Sequence, residues 1–316
     1  MYDVVALGEL IIDFAQKSLD EDGYPTMQAN PGGAPANFLG TLASFGKSTA
    51  FIGKVGDDAF GNLLISTVKK YGIELKGLVR DDDYFTTLAF VTIDADGDRE
   101  FSFARKPGAD TQLSFEEVNA SLIENCKVFH FGTLSLTTDP IKTATQKSVA
   151  FAKAMGKIIS FDPNLRAPLW NRLQDAKEQM LWGLEQANFV KINDEEVDFL
   201  WNCSPKEGGD KILNEYGADL VLVTLGAKGM IAMNKKSCVQ VECPKVNPID
   251  TTGAGDICGA SAMNCILDLN KSLSDLSKDE LLSIAKFATT AASLSTEKYG
   301  SIPSIPDKAT VLDIVG

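Results

Sequence analysis

The string Asp250-Thr251-Thr252-Gly253-Ala254-Gly255-Asp256 is the place where chemistry could be done. It opens a run of small residues, Cys258, Gly259, Ala260, Ser261 and Ala262, that reads as the start of a helix. Gly253, Ala254 and Gly255 leave the first backbone N–H groups uncovered, and the helix dipole favours an anion there. Larger side chains would block a phosphate. Asp256 falls in the first turn, beside any bound anion. A carboxylate so placed can accept the proton of an attacking hydroxyl while the N–H groups take the developing charge. The same residue also fits a plain helix cap after a glycine turn. Gly253 to Asp256 alone do not separate the two readings; the full seven-residue string, late in a chain of alternating strands and helices, favours the chemical one.

The rest of the composition narrows the chemistry. His130 is the one histidine. A Ser-His-Asp triad would have to use it, and a zinc site with two His ligands is excluded. Its apolar neighbours Val128, Phe129 and Phe131 predict a half-buried strand histidine. Six cysteines, at 126, 203, 238, 243, 258 and 265, form no C-x-x-C and suggest neither zinc nor a disulfide framework. They read as reduced, mostly buried thiols, with Cys258 and Cys265 on one helix face. Catalysis must therefore run on carboxylates, amides, hydroxyls and main-chain groups. Gly40…Gly46-Lys47-Ser48 imitates a P-loop, but five residues separate the glycines where four are required, and the string ends a helix instead of opening one. Gly46 reads as a helix C-cap.

With 30 basic against 43 acidic residues the net charge is −13, and no basic run offsets it. Neither nucleic acid nor an anionic membrane is an expected partner. The first eight residues lack a basic region followed by a long apolar run, so no signal peptide is expected. No stretch approaches the roughly 18 apolar residues of a membrane span. The expected compartment is the cytoplasm.

Short apolar runs alternate with helical patterns along the chain. Strands are expected at 4–7, 50–52, 128–131, 158–161, 189–192 and 220–224. Helices are expected at 34–45, 60–71, 141–155, 172–186, 195–201, 206–216, 255–269 and 279–295. This alternation predicts an α/β fold, a mostly parallel sheet flanked by helices. Two segments break the rhythm. Residues 18–30 are polar and without helical periodicity. Residues 86–105 alternate, with Leu88, Phe90 and Thr92 on one face and Asp94 to Asp98 as a turn, which predicts a hairpin. A hairpin in such a domain suggests a lid. The expected organisation is a single domain, 1–316, with a small β-strand lid inserted at about 14–32 and 86–108.

Six ordered strings over essentially the whole length resemble the ribokinase-like (phosphofructokinase-B) carbohydrate kinases. They are Gly8–Phe14, Pro31–Asn37, Ile52–Gly61, Asn193–Glu196, Thr224–Gly229 and Asp250–Asp256. The resemblance implies an ATP-dependent kinase of a sugar hydroxyl, with Asp256 as base and Gly253, Ala254 and Gly255 in the anion hole. Asp13, Gly32, Gly33 and Asn37 are similar to sugar-binding positions; Asp13 alone could be a turn residue, and Gly32-Gly33 resembles a hinge between core and lid. Asn193 and Glu196 match an N-x-x-E element that organises Mg2+ and phosphate mostly through water, although acids at 194–196 also suit a helix N-terminus. Thr224, Gly226 and Gly229 match a nucleotide loop, and Thr289 falls near the adenine. Asp250, Thr252, Ser295, Lys298, Gly300 and Ser304 match positions that hold a monovalent cation, which implies K+.

Within that family the wording is most like fructokinases. It rests on Pro31–Asn37, Phe129–Leu136, Asp162-Pro163-Asn164-Leu165-Arg166 and the spacing of Phe101, Phe103, Arg105, Ala109 and Asp110. Ala104 departs from the Tyr often found there. Phe101, Arg105 and Arg166 are expected at the sugar, where the arginines could donate to ketose hydroxyls or to a carboxylate. 2-Keto-3-deoxygluconate kinase, ribose or nucleoside kinase, and a non-catalytic sugar-binding homologue stay open. Exposed lid edges suggest a homodimer through the lid.

Overall fold

The computed structural model describes residues 1–93 and 99–316, with backbone alone for 93 and 99–101. The expected turn at 94–98 lies outside the described residues.

The chain first lays down β1 (Tyr2–Leu7), β2 (Ile11–Leu19) and β3 (Pro25–Gly32). It continues through α1 (Ala34–Ser44), β4 (Thr49–Gly56), α2 (Ala59–Lys70), β5 (Glu74–Asp81), β6 (Leu88–Ile93) and β7 (Arg99–Ala104). Next come α3 (Ala120–Glu124), β8 (Cys126–Gly132), α4 (Ile141–Ala154), β9 (Ile158–Asp162), α5 (Leu173–Gln186), β10 (Phe189–Asn193), α6 (Asp194–Trp201) and α7 (Pro205–Asn214). The last elements are β11 (Leu220–Thr224), β12 (Met230–Met233), β13 (Cys238–Val241), α8 (Ala254–Leu269), α9 (Lys278–Ser295) and α10 (Lys308–Val315).

The large sheet has the order β13-β12-β11-β10-β9-β8-β1-β4-β5. From β11 to β5 all neighbours are parallel, while β12 and β13 add an antiparallel edge. Such strands are covered on both faces, which is why β1 and β4 read as continuous apolar runs. One face packs on α4, α5, α6 and α7 and the other on α1, α2, α8 and α9. A second sheet, β3-β2-β6-β7, stands apart. Its β2 pairs antiparallel with β3 and parallel with β6. This is the predicted α/β fold with a small extra sheet.

From β1 the chain moves outward to β4 and β5, then returns to β8 on the other side of β1. That reversal makes a crevice at the carboxyl ends of the strands, where open parallel sheets bind ligands. Asp162, Asn193 and Thr224 end β9, β10 and β11 there.

Several expectations are corrected. Residues 18–30, polar and without helical periodicity, hold the end of β2, a turn and most of β3. β5 and β13, at the two edges of the large sheet, and β12 beside β13 were not expected. His130 is 3% exposed, not half-buried. It stacks on Phe38 with ring centroids 3.9 Å apart and meets Ser160 Oγ at 2.8 Å. Burial, with the Lys191 charge nearby, lowers its pKa to about 3, so it is neutral. Only Cys126 and Cys258 are buried; Cys238 is exposed on the edge strand β13 and the others are intermediate, all free. Gly46, at φ +87°, does follow the end of α1. Among the described residues no helix is long and apolar enough to cross a membrane.

Candidate active site

The small residues that open α8 let it approach the sheet and α1. Gly253 caps the helix at φ +77°, and a Cβ there would stand 2.3 Å from Cβ of Ser301. Gly259 rests on the Phe38 ring, 3.5 Å from where its own Cβ would be. This contact brings α1 close enough for Asn37 Nδ2 to donate to Asp256 Oδ2 at 2.8 Å. Asn164 Nδ2 donates to Oδ1 from the other side at 3.3 Å. Asn164 sits at φ +47°, a left-handed conformation that costs a non-glycine residue energy and is tolerated where function holds it. Asp256 is thus buried between two amides at the head of the helix. Burial, then the Asp162 charge, raises its pKa to about 6, against the pull of Lys191, the Asn37 amide and Arg166.

Asp13 enters from β2, opposite Asn30 of β3. A Cβ on Gly32 would fall 2.0 Å from Asp13 Oδ2, so glycine at 32 is what gives that carboxylate its place. Gly33 adopts φ +113°, and a Cβ there would meet the Glu9 carbonyl at 2.5 Å. Glu9 Oε1 accepts the Ala34 N–H at 2.9 Å and so caps α1 from outside. Burial lifts Asp13 to about 7; Arg166 opposes the rise, and the charges of Asp256 and Asp250 add to it. Asp13, Asp256 and Arg166 therefore share one electrostatic environment.

Arg105 does not join them as expected. It is buried, with Nε on Asp110 Oδ2 at 2.8 Å, Nη1 on Thr137 Oγ1 at 3.0 Å and Nη2 on the Leu134 carbonyl at 2.9 Å. Its guanidinium ties the root of β7 to the core and is largely spent. The Phe101 side chain lies outside the described residues; its backbone pairs with Val91.

Glu196 takes the capping role that was the alternative reading. Oε2 accepts Asn193 N–H at 3.0 Å, and Asn193 Oδ1 accepts Glu196 N–H at 2.7 Å. Its Oε1 accepts Leu165 N–H at 2.7 Å, which stitches the Asn164–Arg166 loop to α6. Thr224 closes β11, with Gly226 at φ +55° and Gly229 at φ +106° in the turn that follows. A Cβ at Gly229 would lie 1.9 Å from the Val241 carbonyl. Thr289 is buried and its hydroxyl donates to Ala285 O of its own helix at 2.8 Å. That bond uses the hydroxyl's proton and leaves its oxygen as an acceptor.

Asp250 ties together Thr252 and Gly300, which the resemblance also assigned to a cation. Asp250 Oδ1 accepts from Thr252 N and Oγ1 at 3.0 and 2.7 Å, and Oδ2 accepts Gly300 N–H at 2.9 Å. Asp250 N–H reaches Thr296 O at 3.0 Å, and Lys298 N–H reaches Ser295 O at 3.3 Å. Ser304 is buried beside them, its hydroxyl on Ser301 O.

Three residues were missed. Asp162 and Asn164 lie in a string that was singled out for Arg166 alone. Lys191 lies in Phe189-Val190-Lys191-Ile192; a cation inside a buried strand was the available signal.

A buried carboxylate between two amides, at a helix N-terminus in the crevice of a parallel sheet, is placed to meet a hydroxyl beside an anion. Comparisons with known proteins agree. A model of the pfkB family of carbohydrate kinases matches residues 1–308. Fructokinase-1 of Zea mays is 39% identical, covering 99% of this chain and 97% of its own length. A fructokinase structure with bound ATP, from Xylella fastidiosa, aligns with TM-score 0.91 at 28% identity, over 100% of this chain and 98% of that one. A double mutant of fructokinase from Vibrio cholerae, in a form with fructose, ADP and potassium ion bound, aligns with TM-score 0.87 at 28% identity, over 100% and 99%. The chain belongs to the pfkB family of carbohydrate kinases, and it is a sugar kinase.

Proposed function

We propose that the chain transfers the γ-phosphoryl group of ATP to D-fructose, giving D-fructose 6-phosphate and ADP, with Asp256 as general base. The observation that carries this reading is the Asp256 carboxylate, fixed by Asn37 and Asn164 in the opening turn of α8, where Ala254 N–H makes only a long bond, 3.3 Å, to Thr251 O. The sugar lies between Asp13 and Asn37, under the second sheet. Asp13 and the free donors of Arg166 take its ring hydroxyls. The primary hydroxyl faces Asp256, which accepts its proton as the oxygen attacks in line, and the N–H groups hold the equatorial phosphoryl oxygens. The names and ligands of the similar fructokinases support fructose as the acceptor.

ATP lies over the 224–229 turn and Thr289. Mg2+ neutralises phosphate charge in such transfers. Among the described residues no group of three or more acidic, His or Cys side chains could hold a metal. Glu196, already accepting two N–H groups, fits a role through water, with the phosphates as the main ligands. The loops of Asp250, Thr252, Ser295 and Gly300 fit K+ through carbonyl oxygens. The second sheet, at about 14–32 and 86–108, acts as a lid that keeps water from competing as acceptor, and its edges β3 and β7 suit a homodimer. The cytoplasm is the compartment proposed.

The test is ADP release with ATP, Mg2+ and K+ against fructose, ribose, adenosine and 2-keto-3-deoxygluconate. Turnover on fructose above the others is expected, with Asp256→Asn lowering kcat by about 10²–10⁴. A preference for the keto-acid would reassign Arg166 to carboxylate recognition. Full turnover in Asp256→Asn would sink the base.

A further inference from the structure

Lys191 is 5% exposed, in the middle of β10. Its side chain runs beneath α8 in a groove made by two glycines one turn apart. A Cβ on Gly259 would sit 3.7 and 3.8 Å from Lys191 Cγ and Cβ, and a Cβ on Gly255 would sit 2.9 Å from Nζ. The ammonium therefore lies directly behind the backbone that opens the helix. Asp162, at the end of β9, holds it there through both carboxylate oxygens, at 3.1 and 3.4 Å.

A buried ion pair of this kind is no efficient source of stability. Its desolvation cost rivals its attraction, and apolar residues of the same volume often serve the fold as well. The surroundings give it another use. Asp162, Glu196 and Asp256 all act on this one cation. Asp256 is faced by Asp13 from β2, Asn37 from α1, Asp162 from β9, Asn164 and Arg166 from the following loop, and Lys191 from β10. Acids outnumber cations there before any ATP arrives. Arg166 is half-buried at the rim; Lys191 is the deep, fixed cation.

We propose that Lys191, clamped by Asp162, is a positioning residue that supplies a permanent positive charge behind the anion hole and toward the Asp256 carboxylate. This rests on Asp256 being the base. The charge holds the base ready to accept a proton and adds to the N–H dipoles that meet the phosphoryl oxygens. Asp162 sets the strength of that charge at Asp256. It draws the ammonium toward itself and adds a repelling charge of its own.

The two side chains then act in opposite directions, which a purely structural pair would not do. The experiment measures kcat/KM for fructose against pH, at saturating MgATP, in the wild type, Lys191→Met, Asp162→Asn and Asp256→Asn, each checked for folding by circular dichroism. In Lys191→Met the acid limb is expected to move up by about one pH unit or more. Plateau kcat should fall about tenfold or more, with KM for fructose nearly unchanged. In Asp162→Asn the limb is expected to move down. An unmoved limb in folded Lys191→Met, or both limbs moving the same way, overturns the proposal. If Lys191→Met does not fold, Asp162→Asn decides, since a limb that stays or rises overturns it equally. Turnover surviving in Asp256→Asn removes the base reading and this inference with it. Turnover lost there, with limbs unmoved in the other two, removes the inference alone.

Discussion

The Asp256 carboxylate is placed where a charge is expensive, and the structure records that in its pKa of about 6. The sign of the consequence follows from linkage. A carboxylate with a folded pKa above its unfolded value binds its proton more tightly when folded. Ionising it therefore weakens the fold. The penalty is absent below about pH 4, grows between pH 4 and 6, and is complete above. A displacement of roughly two units corresponds to about 3 kcal/mol, an upper figure for a site that ligands and ions will screen. Asp256→Asn should thus raise the melting temperature at pH 8 and leave it nearly unchanged at pH 4. Thermal melts of wild type and variant across that range check this, and a variant less stable at pH 8 contradicts the burial argument. Asp13→Asn removes a second crowded charge. It should also stabilise at pH 8, but should act on turnover through a KM for fructose raised by tenfold or more, since a charged partner to a ligand hydroxyl contributes about 1.5–3 kcal/mol.

At the scale of elements, glycines decide what can come close. Gly253 needs its left-handed φ, its Cβ position is filled by Ser301, and the Asn37 amide nitrogen is 3.4 Å from that position. Gly253→Ala should therefore cost at least the 1–2 kcal/mol of left-handed strain and displace the helix start from Asn37. A kcat loss of about tenfold to a thousandfold with a lowered melting temperature is expected. Steady-state kinetics beside a melt tests it, and a variant with normal kcat would show that the helix start tolerates displacement. The string Asp250–Asp256 was legible as a helix start because a glycine turn followed by small residues marks one. The buried strands were legible because they are mostly apolar. The partners of Arg105 were not legible, because Asp110, Thr137 and Leu134 come round to its donors only in the fold. Asp162 and Lys191 were missed because they meet only when β9 and β10 pair. The β2–β3 hairpin was hidden because residues 18–30 are polar, and a polar stretch looks like loop.

At the scale of the whole molecule, the site belongs to neither sheet. Asp13 and Gly32 come from the second sheet, Asn37 from α1 just past its root, and Asp256 and Arg166 from the core. Besides Arg105 at the root of β7 and Phe14 of β2 against Phe60 of α2, Lys17 Nζ of β2 joins the two parts, 3.6 Å above the ring of Tyr299, next to Gly300. A sugar held by Asp13 and Asn37 at once must tighten the second sheet against the core. ATP alone, lying on the 224–229 turn, need not. Hydrogen exchange followed by mass spectrometry should therefore show fructose slowing amides of β2, β3 and the described parts of β6 and β7. ATP with Mg2+ should slow those around 224–229 and 253–256. Fructose at about a hundred times its dissociation constant should add about 2.7 kcal/mol to the unfolding free energy. The protection should weaken in Asp13→Asn, where the link from the second sheet is cut, and persist in Asp256→Asn, where the sugar still has Asn37 and Asp13. Equal protection of the second sheet by ATP alone would mean that closure is driven from the nucleotide side. The Lys17–Tyr299 contact, and not the sugar, would then be the connection to cut next.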